Sequence, residues 1–119
     1  MSALVINLTH SADDVDRTSV AMVVAGAAVA SAQTTTVFLS SEGVHLAKAG
    51  VAQTLHEEGF APLGDLVSSF VEAGGEFLVC SPCAKKRGIG EDDLIDGATI
   101  VGGATLVALL ADGAASLSF

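Results

Sequence analysis

Short apolar runs rich in branched side chains alternate along this chain with stretches of helical periodicity, and glycine or proline marks most of the joins. Ala3-Leu-Val-Ile-Asn-Leu8 suits a strand buried on both faces, because neither side of its pleat is consistently polar. Thr35-Thr-Val-Phe-Leu-Ser40, Glu76-Phe-Leu-Val-Cys80 and Ala98-Thr-Ile-Val101 read as further strands, with a short fifth in 114–119. Between them, Ser11 or Asp13 caps a helix running to about Ala32, with Asp13, Asp14 and Asp16 at its electropositive start. Residues 43–50 suit a short helix closed by glycine, and 53–61 a surface loop. Pro62 opens a helix whose Leu63, Leu66, Val67, Phe70 and Val71 share one face, Gly74-Gly75 ends it, and 103–112 is helical. This order predicts an α/β fold: a three-layer open sheet of about five mainly parallel strands, joined by right-handed crossovers, with helices on both faces. A chain of 119 residues makes one domain, 1–119.

Half of the residues are apolar and 16% charged, which excludes a disordered chain. Fourteen acidic against five basic residues give a net charge of −9, and Trp and Tyr are absent, so neither electrostatics nor base stacking favours nucleic acid. The longest apolar run, 20–30, falls short of the ~20 residues that a spanning helix needs, so no membrane association is expected. It is nonetheless apolar nearly all round, and a subunit interface is one explanation. The amino terminus has aspartates where a signal peptide would be basic, which points to a cytoplasmic protein.

The chemistry concentrates in Cys80-Ser-Pro-Cys83, followed at once by Lys85-Lys86-Arg87, three of the five basic residues. In parallel sheets reactive groups gather at the carboxyl ends of the strands, where Cys80 lies, with the loops 7–11 and 40–43 as its expected neighbours. A helix starting after Cys80 would add its dipole to the three cations and favour thiolate over thiol. The bland alternative is a buried, inert Cys80 beside a solvated basic face. Zinc would need Cys80 and Cys83 plus two of His10, His45 and His56, which lie at no ligand spacing, so no metal and no cofactor are expected. His10, at the end of the first strand, is a candidate proton shuttle facing Cys80. No glycine-rich phosphate loop follows the first strand, and the acidic runs at 13–16 and 91–93 suit helix starts better than a hard cation.

Beyond the cysteines, the opening strand Leu4-Val-Ile-Asn-Leu8, the Ala-rich first helix, Val37-Phe-Leu-Ser-Ser-Glu-Gly-Val44, Val79-Cys80 leading to Arg87-Gly88, Leu94-Ile-Asp-Gly-Ala-Thr-Ile-Val-Gly102 and the terminal Phe119 follow one another along the chain. In these elements the chain resembles the DsrE/DsrF-like family of small sulfur-relay proteins. The resemblance implies an α/β fold, a homotrimer or homohexamer, and sulfur donor and acceptor proteins as partners. It also implies that Cys80 carries sulfur as a persulfide, with Lys85, Lys86 and Arg87 stabilising the anion. Cys83 departs from the single-cysteine pattern, and its expected role is that of a resolving thiol. Two other functions compete: a thiol–disulfide redox protein of Cys-x-x-Cys type, and a non-catalytic assembly or regulatory subunit.

Overall fold

A computed structural model describes residues 2–119. In chain order it contains β1 (Ala3–Leu8), α1 (Val15–Ala30), β2 (Thr34–Leu39), α2 (Leu63–Glu72), β3 (Glu76–Cys80), α3 (Ser81–Lys86), β4 (Ala98–Val101), α4 (Gly103–Ala111) and β5 (Ala115–Ser118). The five strands form one parallel sheet in the order β4-β3-β2-β1-β5. The fold is therefore the expected α/β sheet, and β3 and β4 begin and end where the sequence places them.

One face of the sheet presents Ile6, Leu8, Val37, Leu39, Phe77 and Val79, all fully buried. Against it pack α1, through Ala21, Met22 and Ala25, and α2, through Leu63, Val67 and Phe70. Small side chains on α1 let the two helices approach each other and the strands closely. Phe70 and Phe77 meet edge to face with ring centroids 5.2 Å apart.

Because β4-α4-β5 returns across the sheet against the direction of the earlier crossovers, a right-handed connection puts α4 on the opposite face. Nine residues long and without a charge, α4 buries none of its side chains; Val107 is 65% exposed and Leu110 38%. The outer side of α4 is thus wet, while Val5, Thr36 and Phe38 on that face of the sheet are buried.

The segment after β2 is helical, as expected over 43–50, but begins and ends earlier. It is a 3-10 helix, Ser41–Ala47. Gly43 lets the segment lie against the end of β1, since a Cβ there would collide with the Leu8 carbonyl oxygen, and Ser40 donates its N–H to that carbonyl at 3.2 Å. Its far end is clamped by Ala49 N–H to the Asp93 carbonyl (2.8 Å) and Ile95 N–H to the Ala47 carbonyl (2.9 Å). Gln53 and Thr54, expected as loop, belong to a single 3-10 turn, Ala52–Thr54.

Candidate functional site

Cys80 is both the last residue of β3 and the cap of α3, so the strand delivers it to the carboxyl edge of the sheet opposite Val101 of β4. Pro82 stands in the first turn of α3, where a missing N–H costs nothing. The helix stops after a turn and a half in a Schellman arrangement: Gly88 takes φ +69°, Ile89 donates to the Ala84 carbonyl at 2.9 Å and Gly88 to that of Lys85 at 3.2 Å. Ala84 and Ile89 are buried beneath it. The Arg87-Gly88 pair is thus the stop signal that keeps α3 short and returns Arg87 towards Cys83.

Cys80 and Cys83 are both free thiols and both half-buried against the edge of the core. Their acidities diverge. Burial, followed by the neighbouring Cys83 sulfur, pushes the Cys80 thiol up. Cys83 is lowered, first by the hydrogen bond from the Cys80 thiol and next by the backbone N–H of Ser41, with Arg87 and Lys86 adding to the effect against partial burial. Sequence reasoning expected the thiolate on Cys80; the donors around the two sulfurs favour it on Cys83. A six-residue α3 also has too few aligned peptides for the helix dipole to dominate.

The three cations do not act alike. Arg87 Nε donates to Glu42 Oε2 at 2.8 Å and Nη1 to the Cys83 carbonyl at 3.2 Å, which fixes the guanidinium beside the thiol pair while Glu42 offsets part of its charge. Lys86 and Lys85 are both exposed, and Lys86 adds to the lowering of Cys83.

Three residues of the 3-10 segment were not assigned a role from sequence. Ser41 has φ +53°, an uncommon conformation for a residue with a Cβ, and its amide faces Cys83. Glu42 anchors Arg87, and His45 Nε2 lies 3.8 Å from the same Glu42 oxygen. The available signal was topological: β2 and β3 are neighbours, so the loop after β2 had to border the cysteines, as expected for 40–43. The lone acidic residue there, Glu42, was the natural partner for a basic one.

His10 sits elsewhere. Its Nδ1 is 2.7 Å from Asp13 Oδ2, and β2 lies between its strand and β3, about 10 Å of sheet. Among the described residues no hydrogen bond or ion pair joins it to either cysteine. Partial burial pushes the Asp13 carboxyl up, but the Ser11 N–H and His10 outweigh it and hold Asp13 below the usual carboxylate range. The acidic runs close helix starts: Asp14 accepts the Arg17 N–H at 3.0 Å and Asp93 that of Gly90 at 2.8 Å. His56 Nε2 is 2.8 Å from the Phe60 carbonyl oxygen, remote from the cysteines in its own loop.

The profile of the DsrE/DsrF-like family matches residues 2–119. The chain belongs to the DsrE/DsrF-like family. Among solved structures, this DsrE/DsrF-like chain is similar to the ychN protein from E. coli, with a TM-score of 0.84 and 20% identity over all of both chains. It is also similar to MTH1491 from Methanobacterium thermoautotrophicum, a protein of unknown function, with a TM-score of 0.73 and 19% identity over all of both chains. At these identities the likeness concerns the fold. Among curated proteins it is 36% identical over 72 residues to the uncharacterized protein MJ0760 of Methanocaldococcus jannaschii, a match spanning 60% of this chain and 26% of that one. The uncharacterized protein MK0008 of Methanopyrus kandleri is 34% identical over 61 residues, 51% of this chain and 47% of that one. The matched stretches thus span a quarter to about half of the length of these relatives. No described helix is long and apolar enough to cross a membrane.

Proposed function

We propose that this DsrE/DsrF-like protein is a sulfur carrier or sulfurtransferase that takes up sulfur as a persulfide on its Cys80–Cys83 pair and passes it to an acceptor protein. The observation that carries the reading is the pair itself: two free, half-buried thiols three residues apart at the carboxyl edge of a parallel sheet, with a guanidinium fixed on the Cys83 carbonyl. An ionised sulfur is the nucleophile that persulfide transfer requires. Cys80 holds the position that the family resemblance gives to the carrier cysteine, and Arg87 with Lys86 supplies the positive field.

A donor protein and an acceptor protein, each with a reactive thiol, are the partners. The exposed Val20 and Val23 of α1 and the unburied α4 support a homotrimer or homohexamer as the working form. Two unlinked thiols suit the reducing cytoplasm.

Incubation with a persulfide donor is expected to add ~32 Da per sulfur to the intact protein, and the Cys80→Ser/Cys83→Ser double variant is expected to add nothing. Equal mass gain in the double variant would overturn the reading. The Cys-x-x-Cys spacing of two free thiols also favours a second reading, a thiol–disulfide redox protein. That activity would need both cysteines and would show as the reversible loss of two protons on oxidation, without any sulfur gain.

A further inference from the structure

Of the three cations that follow the cysteines, one is committed within the molecule and two are free. Arg87 is held by Glu42 at 2.8 Å and by the Cys83 carbonyl at 3.2 Å. Among the described residues, Lys85 and Lys86 form no ion pair. Burial sorts α3 by face: Ala84 is buried, Cys83 and Arg87 are half-buried, and Ser81, Pro82, Lys85 and Lys86 are exposed. Ser81 with Lys85, and Pro82 with Lys86, stand one turn apart, so the exposed residues make a single outer face that begins directly after Cys80. No acidic residue lies on α3. Of the carboxylates nearby, Glu42 is engaged by Arg87 and Asp93 by the Gly90 N–H at 2.8 Å, while Glu91 and Asp92, beyond the Gly88 turn, pair with neither lysine.

The opposite flank of the thiols carries no charge. In β3, Phe77 and Val79 point into the core against α1 and α2, which turns Leu78 and Cys80 to the other face of the sheet. There Cys80 stands beside Val101, and Leu78 beside Thr99, of β4, an edge strand without a charged residue. A thiol brought to the pair thus meets an uncharged strand on one side and two unpaired ammonium groups on the other. In a chain with a net charge of −9, those two groups are a local island of positive charge within six residues of Cys80.

We propose that the outer face of α3 is the docking surface for the protein that exchanges sulfur with the pair, and that this partner presents carboxylates beside its own reactive cysteine. The proposal rests on the carrier reading above and names the chemistry of the partner. Lys85 and Lys86 hold the partner's acidic residues, while Arg87, already tied to the Cys83 carbonyl and Glu42, stays with the thiols. Charge complementarity at the rim of a contact sets the rate of encounter and the orientation of docking. An acidic partner is repelled by the rest of this surface, so a productive encounter is steered to the one face where the cysteines stand. In the transfer itself a thiolate of the pair attacks the outer sulfur of the partner's persulfide. A sulfur–sulfur bond forms on this protein, the partner's sulfur–sulfur bond breaks, and its electron pair leaves with the partner's thiolate, with no net change of oxidation level.

The test uses two synthetic peptides that carry one cysteine persulfide each, flanked by glutamates in the first and by glutamines in the second, and follows sulfur uptake by intact mass. Wild type is expected to take sulfur about tenfold faster from the glutamate peptide at low salt. Lys85→Gln/Lys86→Gln is expected to bring the two rates together, and about 0.5 M salt to do the same in wild type without any substitution. The readout is the ratio of two rates on one protein, so a change in thiol reactivity caused by losing Lys86 cancels. Equal rates in wild type, or a preference that survives in the double variant, overturn the docking surface and leave the carrier reading standing. No uptake from either peptide overturns the carrier reading. The surface is then still read by fluorescence anisotropy of labelled peptides with serine in place of cysteine: binding of the glutamate peptide that exceeds the glutamine peptide's and falls in the double variant upholds an acidic docking surface, and any other pattern overturns it.

Discussion

The loops that follow β1 and β3 leave the same edge of one sheet with similar inventories: a polar strand end, charged residues and a helix start. They do different things with them. After β1, His10, Ser11, Asp13 and Asp14 satisfy one another and the first turn of α1. After β3, α3 is too short to consume its charges, and Arg87 is turned back on Cys83 and across to Glu42. A loop whose polar groups cap a long helix is structural. One whose helix stops early has donors left over for chemistry.

The largest effect is expected where the two loops are pinned together. Gly43→Ala forces a Cβ into the Leu8 carbonyl and should cost about 3 kcal/mol or more, measured by thermal or denaturant unfolding. It should also slow Cys83 alkylation by displacing Ser41. An unchanged melting curve would mean that the loops are not coupled through this contact.

Next comes the cap itself. Asp14→Ala should lose about 1 kcal/mol of stability and leave both thiol reactivities as they are, because its carboxylate serves only the Arg17 N–H and side chain. A change in thiol labelling would erase the distinction between the loops.

Arg87→Gln shortens the side chain, removes the charge and gives up the paired bonds to Glu42 and the Cys83 carbonyl, so Cys83 alkylation at pH 7 should slow roughly threefold with its pH midpoint moved up. His10→Ala should not alter that midpoint; if it does, the first loop reaches the cysteines after all.

The smallest effect is a pH dependence in the first loop. A carboxyl held below its usual range stabilises the fold above the unfolded-state value and loses that contribution as pH falls through the folded one. Asp13→Asn should therefore cost about 0.5 kcal/mol at pH 7, after allowance for its exposed side chain and solvent screening, and flatten the loss of stability below about pH 4. A variant that tracks wild type through that window would show the Asp13 contacts to be energetically idle.

How much of this was legible beforehand depends on how local each cause is. β3 and β4 could be placed to the residue because Gly74-Gly75 and Ser81-Pro82 bound the first, and Gly97 and Gly102 the second. The site's centre was legible too, since Cys80-Ser-Pro-Cys83 ends a strand of a parallel sheet. The close approach of Ser41–Ala47 to β1 was not, because Gly43 packs on a carbonyl 35 positions upstream at Leu8. Nor was the choice between histidines: His10 and His45 both follow strands, and only the order β3-β2-β1 brings His45, with Glu42, to the neighbouring loop and leaves His10 beyond it.

Residue types and spacing alone determined the parallel α/β sheet, the edge at which the thiols stand and the cationic run beside them, because periodicity, caps and glycine stops act within a few residues. Which sulfur is the more acidic, which of three cations reaches it and which carboxylate restrains that cation were decided in three dimensions. Those properties depend on burial and on hydrogen-bond donors contributed by a segment some forty residues away, and electrostatics is set by distance through space rather than along the chain.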